Sequence, residues 1–136
     1  MSTPSELTKS DFEQLSEFRY QMRCFERFSE QAAQQEGITG LQYLLLLHIK
    51  GYPEREQATI GELAERLQAH HHGVVSLVTR CEALGLVERK HSTADRRRVE
   101  VHLLEGGEQV LRRLAAMHRA ELKSLAGRFT IPSVRF

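Results

Sequence analysis

Only two cysteines occur in the 136 residues, Cys24 and Cys81. Both fall on the apolar stripes of helical patterns, so no disulfide framework is expected and a reducing compartment suits the chain. No apolar run approaches the length needed to cross a bilayer; the longest is centred on Leu44, Leu45, Leu46 and Leu47. The opening residues MSTPSELTKS lack the basic start and apolar core of a secretory signal. A cytoplasmic location is expected, and membrane association is not. Also missing are a glycine-rich phosphate loop, G-x-S-x-G and H-E-x-x-H. The seven histidines and eighteen acidic residues show no spacing of a catalytic pair, so neither an enzyme nor a cofactor is expected. No internal repeat or low-complexity tract is visible, and residues 1–136 suit a single domain.

Net charge is also scarce, at +1, but its distribution is uneven. Residues 1–36 carry four basic and seven acidic groups, a balance of −3, whereas residues 66–98 carry seven basic and three acidic groups, a balance of +4. A nearly neutral chain with one locally basic stretch is the electrostatic footprint of a polyanion-binding face.

That stretch lies within residues 59–103. Leu63, Ala64 and Leu67 recur at helical spacing, and Thr59 with Glu62 has the spacing of a capping box, in which each side chain satisfies an orphan N–H. After a break at residues 68–70, Val74, Leu77, Val78, Cys81 and Leu84 form a second stripe, with Gly85 placed to end the helix. The opposite face presents His72, Gly73, Ser76, Thr79 and Arg80, which is polar, small at its start and free of carboxylates. Two short helices joined by a tight turn, the second with an exposed polar face, make a helix-turn-helix pattern. Beyond Gly85, Val87 and Arg89, then Val99, Val101 and Leu103, alternate with more polar neighbours as half-buried strands do. Asp95, Arg96, Arg97 and Arg98 lie between them at a hairpin tip. A short strand near residues 58–60 adds a third. The expected fold is mainly α, an α+β winged helix over residues 38–104.

Ser10 and Glu13 have capping-box spacing ahead of a long helix to about Gln35. Its stripe of Phe12, Leu15, Phe18, Met22, Phe25, Phe28 or Ser29, and Ala32 is rich in the aromatic and Met anchors favoured at subunit interfaces. Thr39 and Gln42 open a second helix through Ile49, apolar around most of its circumference and so expected to be central and buried. Within it, His48 reads as a partnered core or interface histidine rather than a ligand. A last helix is expected from about Glu108 to Ala126, on a stripe of Val110, Leu111, Leu114, Met117 or His118, Leu122 and Leu125. Two glycines weaken its first turn. Residues 1–9 are expected to fray, and residues 128–136 do not read as helical.

Three segments in this order carry a family resemblance: Ile60-Gly61-Glu62-Leu63-Ala64, Gly85-Leu86-Val87-Glu88-Arg89 and Asp95-Arg96-Arg97. Together they resemble the multiple-antibiotic-resistance regulator (MarR) family of winged helix-turn-helix transcription factors. The likeness extends more weakly from about Phe12 to about Leu125, with Thr39 to Leu44 similar to the start of the family's second helix. The resemblance implies a homodimer whose first and last helices, here residues 10–36 and 106–127, intertwine. It implies a pseudo-palindromic operator in double-stranded DNA, a repressor's role, and an arginine, here Arg97, that enters the minor groove while Asp95 holds it. It further implies a small-molecule effector bound between the dimer helices and the winged lobe, where Phe18, Met22, Tyr43, Leu47 and His48 are the candidate lining. Family members commonly continue with another helix, which the end of this sequence does not offer. Peroxide-sensing members carry a reactive cysteine at a position that falls near Leu15, so neither Cys24 nor Cys81 is expected to be a sensor.

His70, His71 and His72 form the most unusual tripeptide. Adjacent helical side chains point about 100° apart, so three in a row cannot converge on one ion, and no metal site is expected from them alone. Their position at the start of the second helix of the pair favours base or phosphate contact instead, because imidazole N–H groups donate to phosphate oxygens and to guanine N7. The DNA-contacting set expected from the sequence is thus His70, His71, His72, Gly73, Ser76, Thr79, Arg80, Asp95, Arg96 and Arg97. Two other readings are a winged helix that binds a protein partner and a metal- or redox-responsive sensor on the same scaffold.

Overall fold

The computed structural model describes residues 6–129, 131 and 132. The chain runs α1 (Lys9–Gln35), α2 (Gly40–Lys50), β1 (Gln57–Thr59), α3 (Ile60–Leu67), α4 (His71–Ala83), β2 (Val87–His91), β3 (Val99–Leu103) and α5 (Glu105–Ser124). The expected fraying of residues 1–9 and the non-helical reading of 128–136 fall partly outside the described residues. Within them, Gly127 adopts φ +86 just past the end of α5.

Local chemistry starts three of the five helices. The capping boxes of α2 and α3 are as expected: Thr39 Oγ1 accepts from Gln42 N at 3.1 Å and Thr59 Oγ1 from Glu62 N at 3.2 Å, each glutamine or glutamate reaching back to the cap N–H at 2.9 Å. The box of α1 is not the one expected. Thr8 and Asp11 form it, at 3.3 and 2.9 Å. Ser10 lies already inside the helix, where its hydroxyl accepts from Gln14 Nε2 at 3.4 Å.

The start of α5 is a second correction. The helix begins at Glu105 rather than near Glu108, without a side-chain cap. Its first turn is held by backbone contact with the turn after α4: Leu104 N donates to the Leu86 carbonyl at 2.9 Å. A Cβ on Gly107 would lie 2.1 Å from that same oxygen. The glycine that weakens the turn locally is what allows the helix to pack there.

The sheet is antiparallel in the order β1-β3-β2, with Ala58 and Arg89 both opposite Val101. Leu45, Leu46 and Ile49 of α2 meet Leu63 of α3, Val74, Val78 and Cys81 of α4, Val87 and Val101 of the sheet and Leu114 of α5 in one core. Burial pushes the Cys81 thiol up to about 11, which keeps it protonated and inert. The expectation for α2 holds on one side only, because Leu41 and Leu44 remain exposed. Where the sequence left Met117 and His118 as alternatives, His118 is the buried one. Its imidazole stacks on Tyr43 at 4.5 Å between ring centroids and lies 2.8 Å from Ser29 Oγ and 2.7 Å from the Leu114 carbonyl.

Candidate nucleic-acid interface

Helix α4 turns most of its stripe inward, burying Val74, Leu77, Val78 and Cys81 but leaving Leu84 exposed past its end, while His71, His72, Gly73, Ser76, Thr79 and Arg80 are exposed. Gln68 takes a left-handed conformation (φ 51) to end α3, and His70 becomes the N-cap of α4. No side chain caps this end. Its first N–H groups thus lack the side-chain acceptor that a cap supplies, and uncapped helix N-termini can accept phosphate. The His70 and His72 rings lie parallel, 5.8 Å apart. Among the described residues no group of three or more His, Cys, Asp or Glu could hold a metal ion.

Thr79 is exposed as expected, but its hydroxyl is already engaged. It donates to the Val75 carbonyl at 3.0 Å and accepts from Arg89 Nη2 at 2.8 Å. That same nitrogen donates to the Val75 carbonyl at 2.9 Å, and Arg89 Nη1 pairs with Glu82. Arg89 N also donates to Glu82 at 3.1 Å. One arginine of β2 thus fastens the wing to α4 through three acceptors. Sequence reasoning missed this clasp, because Arg89 shares no helical or strand periodicity with Thr79 or Val75.

The hairpin tip is built around Ser92, which is buried and accepts from Ala94 N at 3.2 Å and Asp95 N at 3.3 Å. Asp95 Oδ1 accepts from Arg97 N at 3.0 Å and lies 3.5 Å from Arg97 Nε. The Arg97 side chain is 93% exposed, so the aspartate orients the base of an arginine whose guanidinium stands in solvent. Of the seven basic groups in residues 66–98, Arg89 pairs with Glu82, Lys90 with Glu88 and Arg97 loosely with Asp95. Arg66, Arg80, Arg96 and Arg98 have no ion-pair partner among the described residues, so the local surplus of positive charge rests on them.

The five residues expected around an effector are spread over the interior and the outer groove. Tyr43 is buried under His118, and Met22, Leu47 and His48 are half-buried. Phe18 lies 5.7 Å from Phe129 and lines a groove of about 190 Å³ with Gln14, Gln21, Arg128 and Ile131, which none of the other four lines. Burial and the nearby Arg66 charge lower the pKa of His48.

A helix pair with a tight turn, an outward polar second helix and an arginine-tipped hairpin define a winged helix-turn-helix protein. The family model described as MarR family matches residues 36–98. The HTH-type transcriptional regulator YsmB of Bacillus subtilis (strain 168), itself uncharacterized, is 31% identical over 93 residues, covering 68% of this chain and 58% of YsmB. The chain thus spans less than two thirds of that curated relative. AbsC of Streptomyces coelicolor, a MarR family transcriptional regulator, superposes with a TM-score of 0.79 at 22% identity, over 95% of this chain and 86% of AbsC. The S. aureus MepR–DNA complex superposes with a TM-score of 0.71 at 21% identity, over 92% and 87% of the two chains. Over residues 36–98 the chain thus matches the MarR family, and it shares the fold of the solved MarR structures. Among the described residues no helix is long and apolar enough to cross a membrane.

Proposed function

We propose that the chain acts in the cytoplasm as a homodimeric, sequence-specific DNA-binding regulator, a repressor whose operator binding responds to a small molecule. The observation that carries the DNA reading is the pairing, on one chain, of an uncapped, carboxylate-free α4 face with a wing tip bearing an exposed Arg97. Together they suit a major groove and the adjacent minor groove of one duplex, with His70, His71, His72, Gly73, Ser76 and Arg80 toward base edges and phosphates, and Asp95, Arg96 and Arg97 at the second groove. Thr79 joins this set through its methyl group, since its hydroxyl is held by Arg89. The likeness to MepR, solved with DNA, supports the same reading.

The dimer reading rests on α1. Of its 27 residues only Ala32 and Ala33 are buried, while Phe12, Leu15 and Tyr20 are exposed, as is Leu122 of α5. A two-fold partner covering these faces would give two α4 helices and hence a pseudo-palindromic operator. The effector reading places Phe18, Met22, Tyr43, Leu47 and His48 beside that partner.

Selection of bound sequences from random duplex, followed by titration at several salt concentrations, tests the proposal. The expected result is a palindromic consensus bound with affinity that falls steeply as salt rises. A chain that binds no duplex at about 0.1 M salt, or binds a protein partner through α4 with no salt dependence, overturns it.

A further inference from the structure

Two of the four basic groups without an ion-pair partner, Arg80 and Arg96, belong to the α4 face and the wing tip already described. The other two, Arg66 and Arg98, were not assigned any role. They line one cleft of about 710 Å³, between the outer face of α3 and the residue that leads into β3. Tyr52 forms part of its wall and carries the Arg66 guanidinium 5.4 Å from its ring centroid. Arg55 lies over the same ring at 4.3 Å, but its charge is spent on Glu62. That leaves Arg66 held on an aromatic face with its charge available.

The cleft continues into a second groove of about 320 Å³, with which it shares Gly61, Glu65 and Gln68. This groove runs on past Ala64 and Ala69 to His70, the N-cap of α4. Its floor is low because Gly61, Ala64 and Ala69 lack bulk, and the space above Gly61 is open: a Cβ there would meet nothing within 4 Å. A continuous trough therefore connects the base of the wing with the start of α4. A duplex that places a minor groove on the wing and the neighbouring major groove on α4 has one sugar–phosphate strand between them.

We propose that this trough carries that strand, with Arg66 and Arg98 as its phosphate contacts and Gln68 as a neutral donor between them. The inference rests on the DNA-binding reading above and extends it to residues outside α4 and the wing tip. One group opposes it. Glu65 lines both grooves, and among the described residues its carboxylate is met only by Gln68 Nε2 at 3.3 Å. Glu62, beside it, is neutralised by Arg55. Glu65 sets a repulsion that a polyanion must overcome, and its removal should tighten binding without altering which sequence is preferred.

The test is the salt dependence of binding by the full chain, on its selected operator and on an unrelated duplex. Arg98→Ala and Arg66→Ala should each flatten the log–log salt slope by about 1, because one fewer counterion is released per lost phosphate contact. The fold-loss should be equal on both duplexes, since phosphate contacts carry no sequence information. Arg98→Lys should restore most of the slope, and Glu65→Gln should raise affinity on both duplexes. Uncharged methylphosphonate at the phosphates between the two contacted grooves should weaken the unaltered protein more than either single arginine variant, and should affect the Arg66→Ala/Arg98→Ala double variant least. Unaltered slopes in both arginine variants, in a protein that binds its operator normally and melts as before, overturn this inference alone. Failure of the unaltered chain to bind any duplex overturns the DNA reading beneath it.

Discussion

Helices α1 and α2 are neighbours in the chain and packed against each other, yet they are built for different purposes. The 11 residues of α2 include six that are buried, whereas the 27 of α1 include two. Both begin with capping boxes, and both carry apolar side chains at helical spacing. Local signals therefore do not distinguish them. What distinguishes them is how much of each stripe finds a partner inside one chain. Helix α2 lies at the centre of the lobe, between α1, α3, α5 and the sheet, and its burial supports the fold directly. Helix α1 touches the lobe at its C-terminal end, where Ala32 and Ala33 are buried and Glu30 accepts from Gly40 N at 2.9 Å. Along the rest of its stripe Phe25 and Phe28 meet His118 and Phe18 meets Phe129, while Phe12 and Leu15 are exposed. The exposed part of that face is what the proposed second copy would cover.

The sharpest way to break this comparison is to shorten one side chain in each helix. Leu45→Ala should destabilise the lobe by about 2–5 kcal/mol, because Leu45 is fully buried and the cavity cannot collapse. Leu15→Ala should cost less than about 1 kcal/mol in dilute protein, since Leu15 is 39% exposed and lies outside the core. Denaturant titration at a low and a high protein concentration separates the two. The α1 change should matter more at the higher concentration, where the proposed dimer would contribute to stability. Phe25→Asp together with Leu122→Asp should convert the proposed dimer to monomer in light scattering while the lobe stays folded. A lobe that unfolds with these changes would mean that α1 serves the core after all.

The second effect is intermediate and lies on the lobe's own seam. Arg89→Ala removes hydrogen bonds to Thr79, Val75 and Glu82 and leaves Glu82 half-buried without its cation. A loss of about 1–3 kcal/mol is expected from denaturant titration. Arg97→Ala, by contrast, should leave stability unchanged and weaken DNA binding alone, because its guanidinium is in solvent. Equal stability in the two variants would dismiss the clasp.

The smallest effect is a dependence on pH within α2. Burial first, and the Arg66 charge second, lower the pKa of His48 below the ordinary imidazole value of 6.5. The folded lobe therefore holds this histidine neutral where the unfolded chain protonates it. The resulting stability is complete above that ordinary value and is lost as pH falls through it toward the folded value. Melting midpoints measured from pH 7.5 downward to about pH 5.5 should fall more in the unaltered protein than in His48→Gln. An identical slope in both would remove His48 from the account.

Much of the lobe was legible because its determinants are short. A capping box closes over three residues, a helix stripe repeats within a turn, and a strand alternates every second position. Thr39 with Gln42, Thr59 with Glu62, Gly85 after α4 and the wing strands were all read from such patterns and are found as read. The Asp95–Arg97 contact spans two residues and was implied by the resemblance. The error at the start of α1 was of the same short range: Thr8 with Asp11 and Ser10 with Glu13 compete for one helix end, and spacing alone does not rank them.

What only the tertiary structure decided involves residues far apart in the chain. The sequence could place Arg89 in a strand and Thr79 on a helix face, but not bring them within 2.8 Å. It could not choose His118 over Met117, because the choice depends on Ser29, 89 positions away, and on the face of Tyr43. It read Gly107 as a weakness, whereas packing against the Leu86 carbonyl makes that glycine a requirement. Nor could it show that Arg66 and Arg98 line one cleft. Periodicity and capping are properties of a few consecutive residues and survive in the bare sequence. Which faces meet, and which charges are neutralised when they do, follows from burying one shared core, and that is decided by the chain as a whole.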